Sequence, residues 1–209
     1  MRYLVLAALL LASLNVPGLR PDAALAAPAL TLPAGPGQQP ATFTPAAGNW
    51  GLVKDAGNTV LTVDGSTGVK AEYPYAVAQA PADFRDGSVT LRFKALSGKE
   101  DQAAGILFNL GSSGDYYALR ANSLEDNLIL WVVQGGRRSE VKGVTVPVPA
   151  TGRWHELKLA IQGRRITGFL DGKQHLVHDL PAPVSGKVGI WSKADSHVLF
   201  TGFSVSPAQ

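Results

Sequence analysis

From about residue 50 onward the apolar residues recur at every second position in short runs, the period of a strand with one buried face. In Ser88–Ala95, the residues Val89, Leu91, Phe93 and Ala95 point one way while Thr90, Arg92 and Lys94 point the other. In His155–Ile161, the residues His155, Leu157, Leu159 and Ile161 share a face opposite Glu156 and Lys158. Arg165–Asp171 and Gln174–His178 read as a further strand pair. Between such runs lie Asp64-Gly65, Asp86-Gly87, Gly135-Gly136 and Asp171-Gly172, pairs suited to two-residue hairpins because those turns need positive φ. No capped amphipathic helix of ten or more residues follows the N-terminal region. About ten to thirteen strands are expected, more than one open sheet holds comfortably. The pattern predicts an all-β fold, a two-sheet antiparallel β-sandwich of jelly-roll form. A propeller would need an internal repeat, and none is present.

The N-terminus follows a different rule. Arg2 precedes the apolar run Leu4–Leu14, followed by Pro17, Gly18 and the small-residue site Ala24-Leu25-Ala26. This is the layout of a secretory signal peptide over residues 1–26, with cleavage before Ala27. The run is too short for a spanning helix, which needs about 20 apolar residues. The expectation is export to a periplasm or the extracellular space, with no membrane span in the mature chain. Residues 27–45, rich in Pro, Gly, Ala and Gln, read as an extended linker or lead-in. Residues 46–209 then form the domain, with structure beginning near Trp50.

Composition narrows the partners. Apolar residues make up 45% of the chain, enough to bury a substantial core, and 23 Gly with 14 Pro fit many short strands joined by turns. The net charge is +3, and removal of residues 1–26 leaves 17 basic and 15 acidic residues. So small an excess argues against nucleic-acid binding, which calls for a dense basic face. With no cysteine there is no disulfide, thiolate nucleophile or Cys-ligated metal.

Three segments carry a resemblance: Gly105–Asn127 (GILFNLGSSGDYYALRANSLEDN), Gly152–Lys173 (GRWHELKLAIQGRRITGFLDGK) and Gly186–Phe200 (GKVGIWSKADSHVLF). Together they resemble exported bacterial domains related to the 3-keto-disaccharide hydrolase-like and laminin G-like families, within the concanavalin A-like lectin/glucanase fold. The resemblance spans roughly Trp50 to Val205 and implies the same sandwich. It does not imply one function, since this fold hosts lectins, glycosidases and adhesion modules. It departs from the family pattern at Phe200-Thr201-Gly202-Phe203, where relatives commonly carry Phe-Asp-Asp and where an acidic residue can serve a structural calcium. Without that carboxylate no metal is expected there, and no cofactor is expected either.

Catalytic signatures are sparse. Glycosidases use two carboxylates flanking the scissile bond, and glucanases of this fold place them at alternate positions of one strand. No two Asp or Glu residues here are two or four positions apart, so a pair would have to come from separate strands. Elimination beside a ketone would need one base, for which Glu125, Asp195 or a histidine are candidates. His175-x-x-His178-Asp179 lacks a third ligand on one face, and Ser196-His197 lacks an orienting acid. Arg137-Arg138 and Arg164-Arg165 fall at predicted turns and read as solvated hairpin tips.

Sugar sites combine aromatic faces with planar polar side chains. The richest such cluster is Tyr116-Tyr117-Ala118-Leu119-Arg120-Ala121-Asn122, followed by Glu125, Asn127 and Trp131. Alternation sets Tyr117 and Leu119 on one face and Tyr116, Ala118, Arg120 and Asn122 on the other, a polar face with an aromatic end that suits a concave groove. A second candidate is the loop Lys193-Ala194-Asp195-Ser196 beside Trp191. The expected ligand-binding set is therefore Tyr116, Arg120, Asn122, Glu125, Trp131, Trp191, Lys193 and Asp195. The plainer alternative is an Arg120–Asp195 ion pair holding strand to loop, with the tyrosines completing the core. Three functions follow: a non-catalytic module binding a glycan or polysaccharide, a hydrolase or lyase acting on a glycoside, or a laminin G-like envelope interaction protein. Stacked aromatics in a groove would favour the first, a close carboxylate pair the second and a broad smooth apolar face the third.

Overall fold

A computed structural model describes residues 28–35, 39–68 and 70–208. The expected signal peptide, residues 1–26, lies outside the described residues. Fifteen strands occur among the described residues. The first five are β1 (Leu30–Leu32), β2 (Ala41–Ala47), β3 (Trp50–Asp55), β4 (Asn58–Asp64) and β5 (Tyr75–Ala78). The middle of the chain forms β6 (Gly87–Ser97), β7 (Ala103–Leu110), β8 (Tyr116–Asn122), β9 (Asn127–Gln134) and β10 (Arg137–Thr145). The last five are β11 (His155–Gln162), β12 (Arg165–Leu170), β13 (Lys173–Asp179), β14 (Lys187–Ser192) and β15 (His197–Pro207). They pair antiparallel into an eight-stranded sheet, β1-β2-β5-β14-β7-β8-β9-β10, and a seven-stranded sheet, β13-β12-β11-β6-β15-β4-β3. Among the described residues no helix is long and apolar enough to cross a membrane.

Alternation creates the two layers. Val89, Leu91, Phe93 and Ala95 of β6 are all buried, as are Leu157, Leu159 and Ile161 of β11, which pair with β6 in register (Leu157↔Leu91, Leu159↔Val89). Facing them from the eight-stranded sheet are Ile106, Phe108, Leu119, Leu128, Val188 and Ile190 in the same cluster. Burying such side chains contributes roughly 1.5–3 kcal/mol each. The core closes at one end where Phe43 and Phe203 meet edge to face, 5.0 Å apart.

Three turns follow the two-residue logic. Ala56-Gly57, Gly135-Gly136 and Asp171-Gly172 each place two consecutive residues at positive φ between paired strand ends. The other two expected hairpin tips are not hairpins. Asp64 ends β4, and its carboxylate accepts hydrogen bonds from Ser66 N and from the Ser66 and Thr67 hydroxyls, so the chain leaves the sheet in a side-chain-stabilised loop. Gly87 opens β6 rather than turning the chain.

Sheet structure also begins earlier than the pattern indicates. Residues 27–45, expected to be a linker, contribute β1 and most of β2. Leu32 and Phe43 explain this, since both are buried and Phe43 pairs with Leu30 on one side and Ala78 on the other. Pro45, which cannot donate to a ladder, sits beside a register shift in β2.

Candidate functional site

The outer face of the eight-stranded sheet gathers the chemistry. Cross-strand pairing sets Trp191 of β14 beside Tyr75 of β5 and Gly105 of β7, with Arg120 of β8 next across. A neighbouring row runs from Ala118 of β8 through Trp131 of β9 to Glu140 of β10, and Tyr116 faces Val133 and then Arg138. Tyr116 and Ala118 lie on this face while Leu119 and Ala121 point into the core, the division that alternation predicts.

Trp191 is the floor of an aromatic cluster. It is fully buried, and its indole N–H donates to the Tyr116 hydroxyl at 3.2 Å. Tyr73 stacks over it, ring centres 6.0 Å apart and planes 18° from parallel, and Tyr75 lies 5.4 Å from Tyr116. Gly105 permits this arrangement, because a Cβ there would stand 3.1 Å from the Trp191 ring. Burial, the largest influence, pushes the Tyr116 phenol up to about 12, so it stays protonated. A depression of about 330 Å³ opens above the cluster, lined by Tyr73, Tyr75, Tyr116, Val133, Glu72 and Gly136. That is the small end of ligand-pocket sizes. A larger depression of about 590 Å³ adjoins it through Ala71 and Glu72, but it is lined by short and charged residues such as Ser66, Lys70 and Lys99, with no aromatic surface.

Polar side chains flank the aromatics. Arg120 is nearly fully buried, and one Nη1 donates to Glu125 and to Asn127, both at 2.8 Å. Burial alone would raise the Glu125 carboxyl. The hydrogen bond and charge of Arg120, with help from Asn127 and Lys193, instead hold it below its ordinary range. Arg138 lies with its guanidinium carbon 3.9 Å from the Trp131 ring centre and 5.4 Å from that of Tyr73. At the far end Lys193 pairs with Asp101 at 2.5 Å, and Asp101 also accepts from the Asn122 amide at 2.9 Å.

Most of the expected ligand set therefore shares one face, but with altered roles. Trp131 is half-buried and reachable, and Tyr116 lines the depression. Trp191 supports the site without contacting solvent. Asn122 is fully buried; its oxygen accepts from Gln102 N and Leu124 N, which makes it a loop anchor. Asp195 is a clip: its carboxylate accepts the backbone N–H groups of Lys99 at 2.6 Å and of Glu100 and Asp101 at 3.1 Å. Those three donors hold its carboxyl below the ordinary range although burial opposes them. The ion partner of Arg120 is thus Glu125 and not Asp195, because the Asp195 carboxylate is already occupied by the loop.

Three participants escaped the sequence reading. Tyr73 and Tyr75 alternate with the buried Pro74 and Ala76, a strand signal too short to stand out. Arg138 was expected at a solvated tip. Counting back across the Gly135-Gly136 turn pairs it with Val133, and this register turns its side chain onto the aromatic face. Among the described residues no cluster of three metal-ligating side chains occurs, and Asp179 of the His175–Asp179 segment is paired with Arg165.

Neither the 3-keto-disaccharide hydrolase-like family nor any other protein-family model matches the chain, and no curated protein matches its sequence. Solved structures do resemble it. A carbohydrate-binding module, CBM66 from Bacillus subtilis, aligns over 78% of this chain and 94% of its own, with a TM-score of 0.65 at 14% identity. An alginate lyase from a Corynebacterium species aligns over 85% of this chain and 92% of its own, with a TM-score of 0.55 at 16% identity. A lichenase derived from a mouse hindgut metagenome aligns over 75% and 83% respectively, with a TM-score of 0.52 at 13% identity. At these identities the likeness is one of fold, and that fold is the concanavalin A-like lectin/glucanase β-sandwich.

Proposed function

We propose that the protein is an exported, non-catalytic glycan-binding module, and that the outer face of its eight-stranded sheet is the binding surface. The observation that carries this reading is the aromatic depression: Tyr73 and Tyr75 stand half-exposed on the buried Trp191–Tyr116 pair, with planar polar groups alongside. Pyranose rings present C–H faces to aromatics and hydroxyls to such planar groups. Structures named as a carbohydrate-binding module, an alginate lyase and a glucanase share the fold, which agrees with a glycan ligand without specifying it. Export rests on the leader-like first 26 residues.

Glu125 and Tyr116, two groups of this face with shifted proton affinity, suit binding better than proton donation. A glycosidase acid needs a raised pKa to donate a proton at neutral pH. Arg120 holds the Glu125 carboxyl below its ordinary range, and burial pushes the Tyr116 phenol up to about 12. A glycan array probed with the purified protein tests the reading, followed by product analysis of every hit. Binding that is retained without new products, and weakened in Tyr75→Ala, is the expected result. Turnover of a bound glycan would replace the module with an enzyme, and an array without hits would remove the glycan.

A further inference from the structure

At the indole of Trp131, individual buried N–H groups lack an acceptor. Arg138 lies 3.9 Å over its ring, and Arg120 lies 5.8 Å from its centre. Four buried side-chain polar atoms among the described residues lack a partner, and three of them are N–H groups of this cluster: Arg120 Nε, Trp131 Nε1 and Arg138 Nη1. The fourth is the Ser123 hydroxyl, just beyond the end of β8. Buried donors without acceptors are costly. Two of these N–H groups flank the indole and the third is its own, so the cluster is short of oxygen acceptors.

Ion pairing singles out one cation. The cation of Arg120 is matched by Glu125 and that of Lys193 by Asp101, whereas among the described residues Arg138 has no carboxylate within ion-pair distance. Two carboxylates share its surroundings without pairing. Glu72 accepts from the Tyr73 hydroxyl at 2.6 Å, and Glu140 is the next residue on the same side of β10. The Arg138 guanidinium carbon lies 3.9 Å from the Trp131 ring centre and 5.4 Å from that of Tyr73, and a guanidinium receives planar or tetrahedral oxyanions through paired N–H groups.

Building on the glycan reading of this face, we propose that the site selects acidic glycans, with a sugar carboxylate or sulfate received by Arg138 while the ring rests on Tyr73 and Tyr75. Arg138 is a specificity-determining residue, and Tyr73 and Tyr75 supply affinity shared by charged and neutral sugars.

Calorimetric titration with two matched pairs tests this: polygalacturonate against its methyl ester, and dextran sulfate against dextran. The expected result is a preference of about tenfold or more for the charged member of at least one pair, with the pair showing whether carboxylate or sulfate is preferred. Arg138→Gln should abolish that preference while leaving the weaker binding of the neutral member intact, and Arg138→Lys should restore only part of it. Arg137→Gln removes the same charge from the adjacent, exposed position and should keep the preference. Equal loss in both Gln variants would mean a diffuse effect of net charge and would overturn the proposal. Equal binding of charged and neutral members would overturn it and leave the glycan reading standing. Failure of all four polymers to bind, with no array hit of any charge, would overturn both.

Discussion

On the outer face of the seven-stranded sheet, Arg92 and Lys94 lie over Trp154, at 5.7 and 5.2 Å from its ring centre. On the outer face of the eight-stranded sheet, Arg138 and Arg120 lie at 3.9 and 5.8 Å from that of Trp131. The ingredients match, but the surroundings do not. Around Trp154, Lys94 donates to Asp55 at 2.6 Å, and no buried polar atom lacking a partner lies on a strand of that sheet among the described residues. Around Trp131 three buried N–H groups are unmatched and an aromatic depression adjoins them. A cation over an indole is thus no mark of a site by itself. What distinguishes the face proposed to bind glycans is a deficit of acceptors beside a reachable aromatic surface.

The largest test of this contrast is on stability. Trp191→Ala should cost about 3–5 kcal/mol, because it empties a fully buried position under Tyr73 and leaves the Tyr116 hydroxyl without its donor. Trp154→Ala, at a half-buried position, should cost about 1 kcal/mol. Urea unfolding of the two variants reads the difference directly. A Trp154 variant as damaged as the Trp191 variant would show that both faces are structural in the same way.

Asp195→Asn comes next, at about 1–2 kcal/mol at neutral pH, since an amide replaces the charged acceptor of three backbone N–H groups. The sign of the pH effect follows from the lowered folded-state pKa. The stabilisation is fully present above the ordinary Asp value near 3.9 and is lost as pH falls through that value toward the folded one. Wild-type stability should therefore drop between about pH 5 and pH 2 more steeply than that of Asp195→Asn, measured as urea midpoints across that range. Parallel profiles would mean that the clip is not ionised as described.

These contrasts also show what could be read in advance. The core strands were legible because Val89, Leu91, Phe93 and Leu157, Leu159, Ile161 carry their period within a few residues, and burial enforces it. The shared face of Tyr116, Ala118 and Arg120 followed from the same parity. Roles did not follow, because parity says which way a side chain points but not what already occupies that side. Trp191 looked available until Tyr73, more than a hundred residues away in sequence, covered it. Asp195 and Asn122 looked like ligand groups until the backbone of residues 99–102 claimed their oxygens. The linker expected over residues 27–45 gave way to β1 and most of β2 for a related reason: Pro and Gly content reads as linker, while Leu32 and Phe43 dock into contacts that only the tertiary fold supplies.

For binding, Tyr75→Ala should weaken any glycan hit by about tenfold, a typical cost of losing one stacking ring, and should shift stability by less than Trp191→Ala. Trp154→Ala should leave the same titration unchanged. If Trp154→Ala weakens binding instead, the ligand occupies the other sheet and the functional face has been placed on the wrong side of the sandwich.

The smallest expected effect is the most pointed. Replacing an indole by a phenyl ring normally loses a hydrogen bond along with some packing, but the Trp131 N–H is buried without an acceptor. Trp131→Phe should then cost at most about 1 kcal/mol of stability, because the lost area is partly offset by removing an unsatisfied donor. Arg138 keeps an aromatic ring to stack on, so the preference for charged sugars should survive. A cost of about 2–3 kcal/mol would reveal that an ordered water already satisfies the indole. The acceptor deficit that separates this face from its counterpart around Trp154 would then be smaller by one donor, and the case for an oxyanion there would rest on Arg138 and Arg120 alone.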